Sequence, residues 1–324
     1  MRPVCLIVQP IHPAGVRRRH DAGLTPRLAA SADMATVAHE LGDATAVITR
    51  SAGLTAAAMD AAPRLRVIGS HGIGVDAIAV DRATALGIPV VNTPEANRGA
   101  VAEHTIALML GVVKRLVQAD AATRAGNFEF KYKNPTTDIS GKVLGLIGFG
   151  GIGRRVAKMA KQGFAMDVLI LSDTTSRAEI EALGYRAAGS LDALLAEADI
   201  VSLHRISTPN SRRLIGEREL ALMKPTAVLI NTARGALVDE AALAAALKGF
   251  KIAGAGLDVF ESEHMASDHP LLTLPNVVLS PHCAGSSNEA LERTAEELVE
   301  RVLAVLRGIP MDVVNSEVWE RRRR

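Results

Sequence analysis

Four polar side chains each stand just after an apolar run with the composition of a buried strand. Arg234 follows one run, His282 follows another, and the acidic pair Glu261 and Glu263 follows a third. In open parallel sheets, ligands bind beside the carboxyl ends of the strands. We therefore expect these side chains to lie close together, although they are distant in sequence.

These residue types suit the reduction of a 2-oxo acid, in which hydride reaches the carbonyl carbon and a proton reaches its oxygen. An arginine such as Arg234 binds a planar carboxylate through two parallel charge-assisted hydrogen bonds, and it also polarises the carbonyl. A histidine such as His282 donates a proton near neutral pH. A carboxylate on its other nitrogen fixes the tautomer and favours the imidazolium. On the residue types alone, either Glu261 or Glu263 can be that partner.

A glycine-rich turn at residues 148–153 predicts a dinucleotide-binding site. The turn has the pattern G-x-G-x-x-G, follows the apolar run 143–147 and precedes a helical pattern. Gly148 permits the tight turn, Gly150 lets the backbone approach a pyrophosphate, and Gly153 lets the helix pack close to the strand. The helix N-terminus then presents N–H groups to the phosphates.

The end of the next strand bears on the choice between NAD and NADP. An acidic residue there binds both ribose hydroxyls and repels a 2′-phosphate, whereas an arginine accommodates that phosphate. The strand ends at Ser172-Asp173, and Arg177 follows. Asp173 favours NAD, while Ser172 and Arg177 leave NADP open.

Apolar runs alternate with helical patterns along the chain, and the series restarts at Lys142. This alternation predicts two doubly wound parallel α/β sheets. A long helix over Val101–Val117, apolar nearly all round, a loop over Gly126–Asp138 and a final helix over Asn288–Leu306 are also expected. The predicted strands are Val4–Val8, Ala46–Ile48, Arg66–Gly69, Pro89–Val91, Val143–Ile147, Val168–Leu171, Ala198–Leu203, Ala227–Asn231, Gly254–Asp258 and Val277–Leu279.

Composition limits the classes of partner. The 324 residues exceed one ordinary domain and carry a net charge of +2, which gives no basis for a nucleic-acid partner. No apolar stretch approaches the roughly 18 residues of a membrane span. Two cysteines, Cys5 and Cys283, do not make a disulfide framework, and the N-terminus does not read as a signal peptide. A cytoplasmic protein is expected.

These motifs, in this order and spacing, resemble those of the D-isomer-specific 2-hydroxyacid dehydrogenase family, which includes phosphoglycerate dehydrogenases and hydroxypyruvate reductases. The resemblance runs from about Val4 to Asp312. The matching stretches are Gly69–Asp76, Val101–His104, residues 143–153, Ile230–Asp239, Gly256–Glu263 and Pro281–Gly285.

The resemblance implies site residues as well as an NAD(P)-dependent reaction. It implies Arg234 as the substrate-binding arginine, His282 as the acid/base and Glu263 as its partner, with Glu261 as the alternative. Backbone N–H groups of Ile73 and Gly74 are expected to hold the substrate carboxylate, and His71 to line the pocket. No metal is implied. The implied cofactor contacts are Val101, Gly148, Gly150, Gly151, Ile152, Gly153, Ser172, Asp173, His204, Arg205, Thr208, Thr232, Ala233, Asp258 and His282.

The resemblance also implies an architecture. A discontinuous, flavodoxin-like substrate domain is expected over residues 1–98 plus 288–324, and a Rossmann domain that binds the dinucleotide over 99–287. The substrate is expected in a cleft between them, from which closure excludes water. A homodimer through the nucleotide domain, using the helix over Val101–Val117, is expected too.

Two departures from the family pattern stand out. Arg205 follows His204 where the family usually continues Leu-Pro, near the expected adenosine, which is a further reason to leave NADP open. Cys283 follows His282 where small or aliphatic residues are usual, and it is interpreted as a packed small hydrophobe.

The substrate stays open among hydroxypyruvate, glyoxylate and 3-phosphoglycerate types. The alternative functions are a phosphite-type dehydrogenase on the same fold and a dinucleotide-sensing, corepressor-like binding protein. Turnover of a 2-oxo acid distinguishes the expected enzyme from the sensor.

Overall fold

The computed structural model describes residues 3–21, 23–263 and 265–323, without the side chains of residues 18–21. The chain forms two compact units, Met1–Asn97 with Gly285–Arg324 and Arg98–Ala284. Each unit contains one parallel β-sheet packed against helices. The predicted class, two doubly wound parallel α/β sheets, is therefore confirmed.

The first unit has a five-stranded sheet in the order β2-β1-β3-β4-β5, which is the flavodoxin-like order. Its strands are β1 Val4–Ile7, β2 Thr25–Leu28, β3 Ala46–Thr49, β4 Val67–Ser70 and β5 Val90–Val91. Its helices are α1 Pro13–Asp21, α2 Met34–Glu40, α3 Ala56–Asp60 and α4 Val80–Ala85, and α13 Asn288–Arg307 joins them from the far end of the chain.

The central strands of this sheet are buried along their whole length because both faces are covered. On one face, Leu298 and Val302 of α13 lie in a buried cluster with Ile48 and Val67. A Cβ at Gly69 would be 3.1 Å from the side chains of both α13 residues, so this glycine sets how closely the helix approaches. Helix α13 is therefore part of the core of the first unit.

The second unit has a seven-stranded sheet in the order β12-β11-β10-β9-β6-β7-β8, so the strand order reverses between β6 and β9. Its strands are β6 Val143–Ile147, β7 Asp167–Leu171, β8 Arg186–Ala187, β9 Ile200–Leu203, β10 Val228–Asn231, β11 Gly254–Leu257 and β12 Val277–Leu279. Its helices are α5 Arg98–Val113, α6 Leu116–Arg124, α7 Phe130–Lys133, α8 Gly151–Phe164, α9 Arg177–Ala182, α10 Leu191–Glu197, α11 Glu217–Leu222 and α12 Glu240–Lys248.

Helix α5 is apolar because it is buried against this sheet. Leu108 and Met109 belong to a core cluster with strand residues such as Leu146 and Ile230. A Cβ at Gly256 would be 3.1 Å from Leu108, so a small residue is needed where α5 crosses β11. Among the described residues, no helix is both long and apolar enough to cross a membrane.

The structure corrects several predicted elements. The helix expected over Val101–Val117 ends at Val113, and a second helix starts at Leu116, because Arg115 between them has a left-handed backbone with φ of 49°. The loop expected over Gly126–Asp138 contains the short helix α7. Strands β2 and β8 were not predicted. Strand β2 includes Pro26 and lies at an edge, where a missing N–H costs little.

Candidate active site

The glycine turn joins β6 to α8 as predicted. Gly148 has a φ of 103°, and a Cβ there would be 2.3 Å from the carbonyl oxygen of His204. A Cβ at Gly153 would be 2.5 Å from the carbonyl oxygen of Gly148. Both glycines are thus required by the fold of the turn itself.

Gly150 differs from these two glycines, because a Cβ there would meet no described atom within 4 Å. It is the N-cap of α8, and its φ of −75° is open to any residue. Neither packing nor backbone therefore requires glycine, whereas the close approach of a pyrophosphate would. Gly151 and Ile152 begin the helix whose N–H groups face the same side. This cradle fits a dinucleotide phosphate.

The residues after β7 form a polar turn. Ser172 Oγ accepts hydrogen bonds from the backbone N–H groups of Thr174 and Thr175 at 3.3 and 3.1 Å. Asp173 is largely exposed and pairs with Arg205, with Nη2 to Oδ2 at 2.5 Å. Arg177 pairs instead with Glu181 on its own helix. Of the two arginines, Arg205 is therefore the one beside the carboxylate expected to meet the ribose.

His204 and Thr208 follow β9 next to the glycine turn. Burial lowers the pKa of His204 to about 4, so its imidazole is neutral at physiological pH, and Nε2 lies 2.9 Å from Ser202 Oγ. Thr208 caps a 3₁₀ turn over Pro209–Ser211, with its N–H donating to Ser211 Oγ at 2.8 Å. These bonds fix the backbone of the loop that carries Arg205.

Hydrogen bonds between its own residues fix the shape of the turn that carries Arg234. The side chain of Asn231, at the end of β10, accepts a hydrogen bond from Ala233 N at 3.0 Å and donates one to Arg234 O at 3.0 Å. A Cβ at Gly235 would be 1.9 Å from the carbonyl of Phe260, so glycine is needed where this turn meets the turn after β11. The Arg234 turn thus packs against the acidic turn, as the strand-end argument predicts.

Thr232 connects the same turn to helix α5. Its Oγ1 lies 2.8 Å from Oγ1 of Thr105, which donates to the carbonyl oxygen of Val101 at 2.8 Å. Val101 is 7% exposed and Thr232 is 7% exposed, so both are held mainly by the protein. The contact of Val101, Thr232 and Ala233 with a cofactor stays a prediction.

Glu263 is the glutamate that faces His282. The imidazole Nδ1 lies 3.2 and 3.1 Å from the two oxygens of this carboxylate. Glu261 instead bonds to Arg212 and lies 3.8 Å from Arg213. Of the two glutamates, Glu263 is therefore the one within hydrogen-bond distance of His282, and its catalytic role stays a prediction.

Asp258 holds the segment that carries His282. Its side chain is 1% exposed and accepts hydrogen bonds from Ser280 Oγ at 2.6 Å, Cys283 N at 2.9 Å and Ala284 N at 2.9 Å. The His282 N–H donates to the carbonyl oxygen of Asp258 at 2.8 Å. Burial and the carboxylate of Asp258 raise the pKa of the Cys283 thiol. Asp258 thus anchors the segment of His282, and its contact with a cofactor stays a prediction.

The predicted substrate residues of the first unit lie after β4. The carbonyl of Ile73 accepts from Asn92 Nδ2 at 2.7 Å, and that of Gly74 accepts from Ser70 Oγ at 2.6 Å. The first of these bonds, together with the bond from Thr93 N to the carbonyl oxygen of Gly72 at 2.9 Å, fixes the two peptide groups whose N–H atoms, those of Gly74 and Ile73, are expected to bind a carboxylate. His71 begins the same turn, with its N–H bonded to Thr49 O at 2.9 Å.

Comparisons with known proteins show the family of the chain. A family model described as the D-isomer-specific 2-hydroxyacid dehydrogenase NAD-binding domain matches residues 106–284. A glyoxylate reductase from Korarchaeum cryptofilum is 43% identical over 270 residues, which cover 82% of this chain and 80% of that protein. The chain belongs to the D-isomer-specific 2-hydroxyacid dehydrogenase family.

Other relatives extend the match. A D-3-phosphoglycerate dehydrogenase from Methanocaldococcus jannaschii is 37% identical over 312 residues, covering 96% of this chain but only 59% of that longer protein. A solved structure of an NADPH-dependent glyoxylate/hydroxypyruvate reductase from Sinorhizobium meliloti, in complex with NADP and malonate, has a TM-score of 0.87 and 31% identity, with 100% of this chain and 99% of that chain covered. This family member is therefore an NAD(P)-dependent oxidoreductase.

Sequence reasoning assigned no role to three residues of this dehydrogenase that organise its site. Asn231 clamps the Arg234 turn, Ser280 bonds Asp258, and His104 Nε2 lies 2.8 Å from Ser280 Oγ. The signal for Asn231 was a polar residue at the end of an otherwise apolar strand. Nothing local marks Ser280 and His104 as neighbours, because 176 residues separate them.

Proposed function

We propose that this dehydrogenase reduces a small 2-oxo acid of the glyoxylate or hydroxypyruvate type to the corresponding 2-hydroxy acid. The observation that carries the proposal is the pairing of His282 Nδ1 with both oxygens of Glu263. A carboxylate in this position holds the proton on Nδ1 and assigns Nε2 to the substrate.

Each polar group has one role in this proposal. His282 Nε2 donates a proton to the substrate oxygen during reduction and accepts it during oxidation. Glu263 holds the imidazole through Nδ1 and fixes its tautomer. The Arg234 guanidinium binds the substrate carboxylate through two parallel hydrogen bonds and polarises the carbonyl. The N–H groups of Ile73 and Gly74 contribute further donors to the carboxylate.

The glycine turn, Asp173 and Thr208 are proposed to hold the dinucleotide, together with the other contacts predicted above. When bound, the nicotinamide ring supplies or accepts the hydride. We propose NAD as the preferred cofactor, because Asp173 provides an acceptor for ribose hydroxyls and repels a 2′-phosphate. Arg205, paired with Asp173, reduces that repulsion, so some use of NADP is expected.

The relatives favour the smaller substrates. The glyoxylate reductase from Korarchaeum cryptofilum and this chain match over about four-fifths of each protein, whereas the phosphoglycerate dehydrogenase is much longer. The test is oxidation of NADH and of NADPH with glyoxylate, hydroxypyruvate, pyruvate, phenylpyruvate and 3-phosphohydroxypyruvate. Rapid turnover of the first two supports the proposal. Tight dinucleotide binding without any turnover would favour a sensor.

We also propose that the two compact units are the substrate domain and the nucleotide domain, and that the chain forms a homodimer through the latter. Helices α6 and α7 contain no buried residue in the described chain. Leu116, Phe128 and Tyr132 in this segment are 63%, 66% and 70% exposed. Such helices gain little stability from their own unit, so a second copy of the nucleotide domain is a fitting partner.

Free thiols at Cys5 and Cys283 support a cytoplasmic location.

A further inference from the structure

Three side chains with different metal-ligand chemistry lie together beside the segment that carries His282. They are the imidazole of His104 on α5, the carboxylate of Asp258 after β11 and the thiol of Cys283. One ligand atom from each lies within 4.8 Å of the other two, and His104 Nε2 is 3.6 Å from Asp258 Oδ1. The proposed reaction gives no role to His104 or Cys283.

We propose that this cluster binds a thiophilic divalent cation, with Zn²⁺ as the best match, through His104 Nε2, Asp258 Oδ1 and Cys283 Sγ. Imidazole, carboxylate and thiolate are the ligand types that zinc takes in proteins. Ser280 Oγ lies 2.8 Å from His104 Nε2 and 2.6 Å from Asp258 Oδ1, which is hydrogen-bond spacing, so a water completes the tetrahedron once this hydroxyl turns away.

The spacing of the ligand atoms is close to what zinc requires. Bond lengths of about 2.0–2.3 Å place the ligand atoms of a tetrahedral site roughly 3.3–3.8 Å apart. The imidazole and carboxylate atoms of His104 and Asp258 already have this separation. The three atoms lie within 4.8 Å of one another, so the pairs that include the thiol need to close by about 1–1.5 Å at most, which rotation of the Cys283 side chain would supply.

The charge balance also favours a cation. Asp258 accepts from Ser280 Oγ and Cys283 N at Oδ1 and from Ala284 N at Oδ2, so the ion takes the place of the Ser280 hydroxyl hydrogen on Oδ1 when that hydroxyl turns away. Binding breaks the S–H bond of Cys283, forms a bond from sulfur to the metal and releases the proton to solvent. The product is an ion held by one thiolate, one carboxylate and one neutral imidazole.

The expected consequence is inhibition, and this part rests on the proposed function. A bound ion ties α5 to the segment of Cys283, next to the proton donor His282, and occupies the carboxylate of Asp258. Zinc is therefore expected to slow the oxidation of NADH by the wild-type enzyme, and to slow that of a Cys283→Ala variant much less.

The binding itself is tested without activity. The full chain, freed of metal with a chelator, is titrated with Co²⁺, and the charge-transfer band from thiolate to cobalt is recorded in the near ultraviolet. We expect the band in the wild type, its loss on addition of Zn²⁺ and its absence in Cys283→Ala. Cys5→Ala is the matched control that keeps the band, because Cys5 is buried in the core of the first unit.

A wild-type protein without the band, or a Cys283→Ala variant that binds Zn²⁺ as tightly as the wild type in competition with a chromophoric chelator, would overturn the site. If the alanine variant fails to fold, Cys283→Ser replaces it, since serine has nearly the same size and no soft ligand atom. Failure of the proposed function would show as absent turnover with an intact cobalt spectrum, so the two failures are distinguishable.

Discussion

At the scale of single residues, His282 has an uncommon backbone. Its φ of 53° lies in the left-handed region, which non-glycine residues rarely adopt and which concentrates at functional positions. The His282 N–H donates to the carbonyl oxygens of Asp258 at 2.8 Å and Ser280 at 3.1 Å, and these bonds hold the conformation. The imidazole is thereby aimed by the backbone and fixed by Glu263.

The Glu263–His282 pair predicts a difference between two neighbouring glutamates. A hydrogen bond to a charged group contributes about 1.5–3 kcal/mol, so Glu263→Gln should lower kcat by about 10–100-fold. Glu261→Gln is the matched control, because Glu261 bonds to Arg212 and should leave kcat unchanged. Steady-state kinetics of both variants checks this, and a larger loss in Glu261→Gln would reverse the assignment.

The Asp173–Arg205 pair predicts how cofactor preference changes. Arg205→Ala removes the cation beside Asp173 and should reduce kcat/KM with NADPH more than with NADH. Asp173→Ala removes the acceptor for ribose hydroxyls and should reduce kcat/KM with NADH more than with NADPH. The ratio of the two kcat/KM values is the measurement. An unchanged ratio in both variants would place cofactor choice elsewhere.

The sequence alone predicts the residue types of the site better than their pairings. Arg234 and His282 can be selected as candidates because each comes after a predicted strand. The choice of Glu263 over Glu261 depends on the path of an irregular turn. Asp258 and Ser280 meet through the pairing of β11 with β12, and His104 reaches them only through the packing of α5 against the sheet, which short motifs do not encode.

At the scale of elements, the glycine turn contains one glycine that the packing of the fold requires and another that the approach of a ligand explains. A Cβ at Gly153 would be 2.5 Å from the carbonyl oxygen of Gly148, whereas a Cβ at Gly150 would meet no described atom within 4 Å. The first glycine is required by the packing of α8 on β6. The second is explained by a ligand that approaches the backbone.

Alanine at these two glycines should therefore act differently. Gly153→Ala should lower the free energy of unfolding by about 1–3 kcal/mol, as overpacking does. Gly150→Ala should lower it by less than about 1 kcal/mol, the cost of alanine at an N-cap, and should weaken NADH binding. Chemical denaturation without cofactor and titration of NADH fluorescence measure the two effects. Equal effects of both substitutions on stability would contradict this division.

Regular elements were predictable where apolar patterns are strong, as in β6 and α13. Prediction failed where the backbone conformation of one residue ends an element, as at Arg115, whose left-handed φ separates α5 from α6 between two apolar stretches. It also failed for β2, because Pro26 argues against a strand unless its place at the sheet edge is known.

At the scale of the whole molecule, the proposed dimer predicts that exposed phenylalanines are not equivalent. Phe128 is 66% exposed between α6 and α7, while Phe250 is 68% exposed elsewhere in the same unit. Phe128→Glu should weaken association because a charge enters an apolar interface, and Phe250→Glu should not. Sedimentation equilibrium checks both variants. A wild-type chain that is monomeric at all concentrations would contradict the dimer.

The two-unit fold was predictable because the alternation of strands and helices restarts at Lys142, and because the glycine turn marks the first strand of the second sheet. The reversal of strand order between β6 and β9 could not be predicted from the sequence of any single segment. It depends on which strands pair, and that is a property of the complete sheet.

The central claim is the transfer of hydride to a 2-oxo acid, and isotope transfer tests it most directly. The enzyme is supplied with glyoxylate and NADH that carries deuterium at the transferable position, and the product is analysed by mass spectrometry. We predict glycolate with one deuterium on the carbon that was the carbonyl carbon, and little such product with His282→Ala. Bound NADH that is never oxidised, or glycolate without deuterium, would contradict the account.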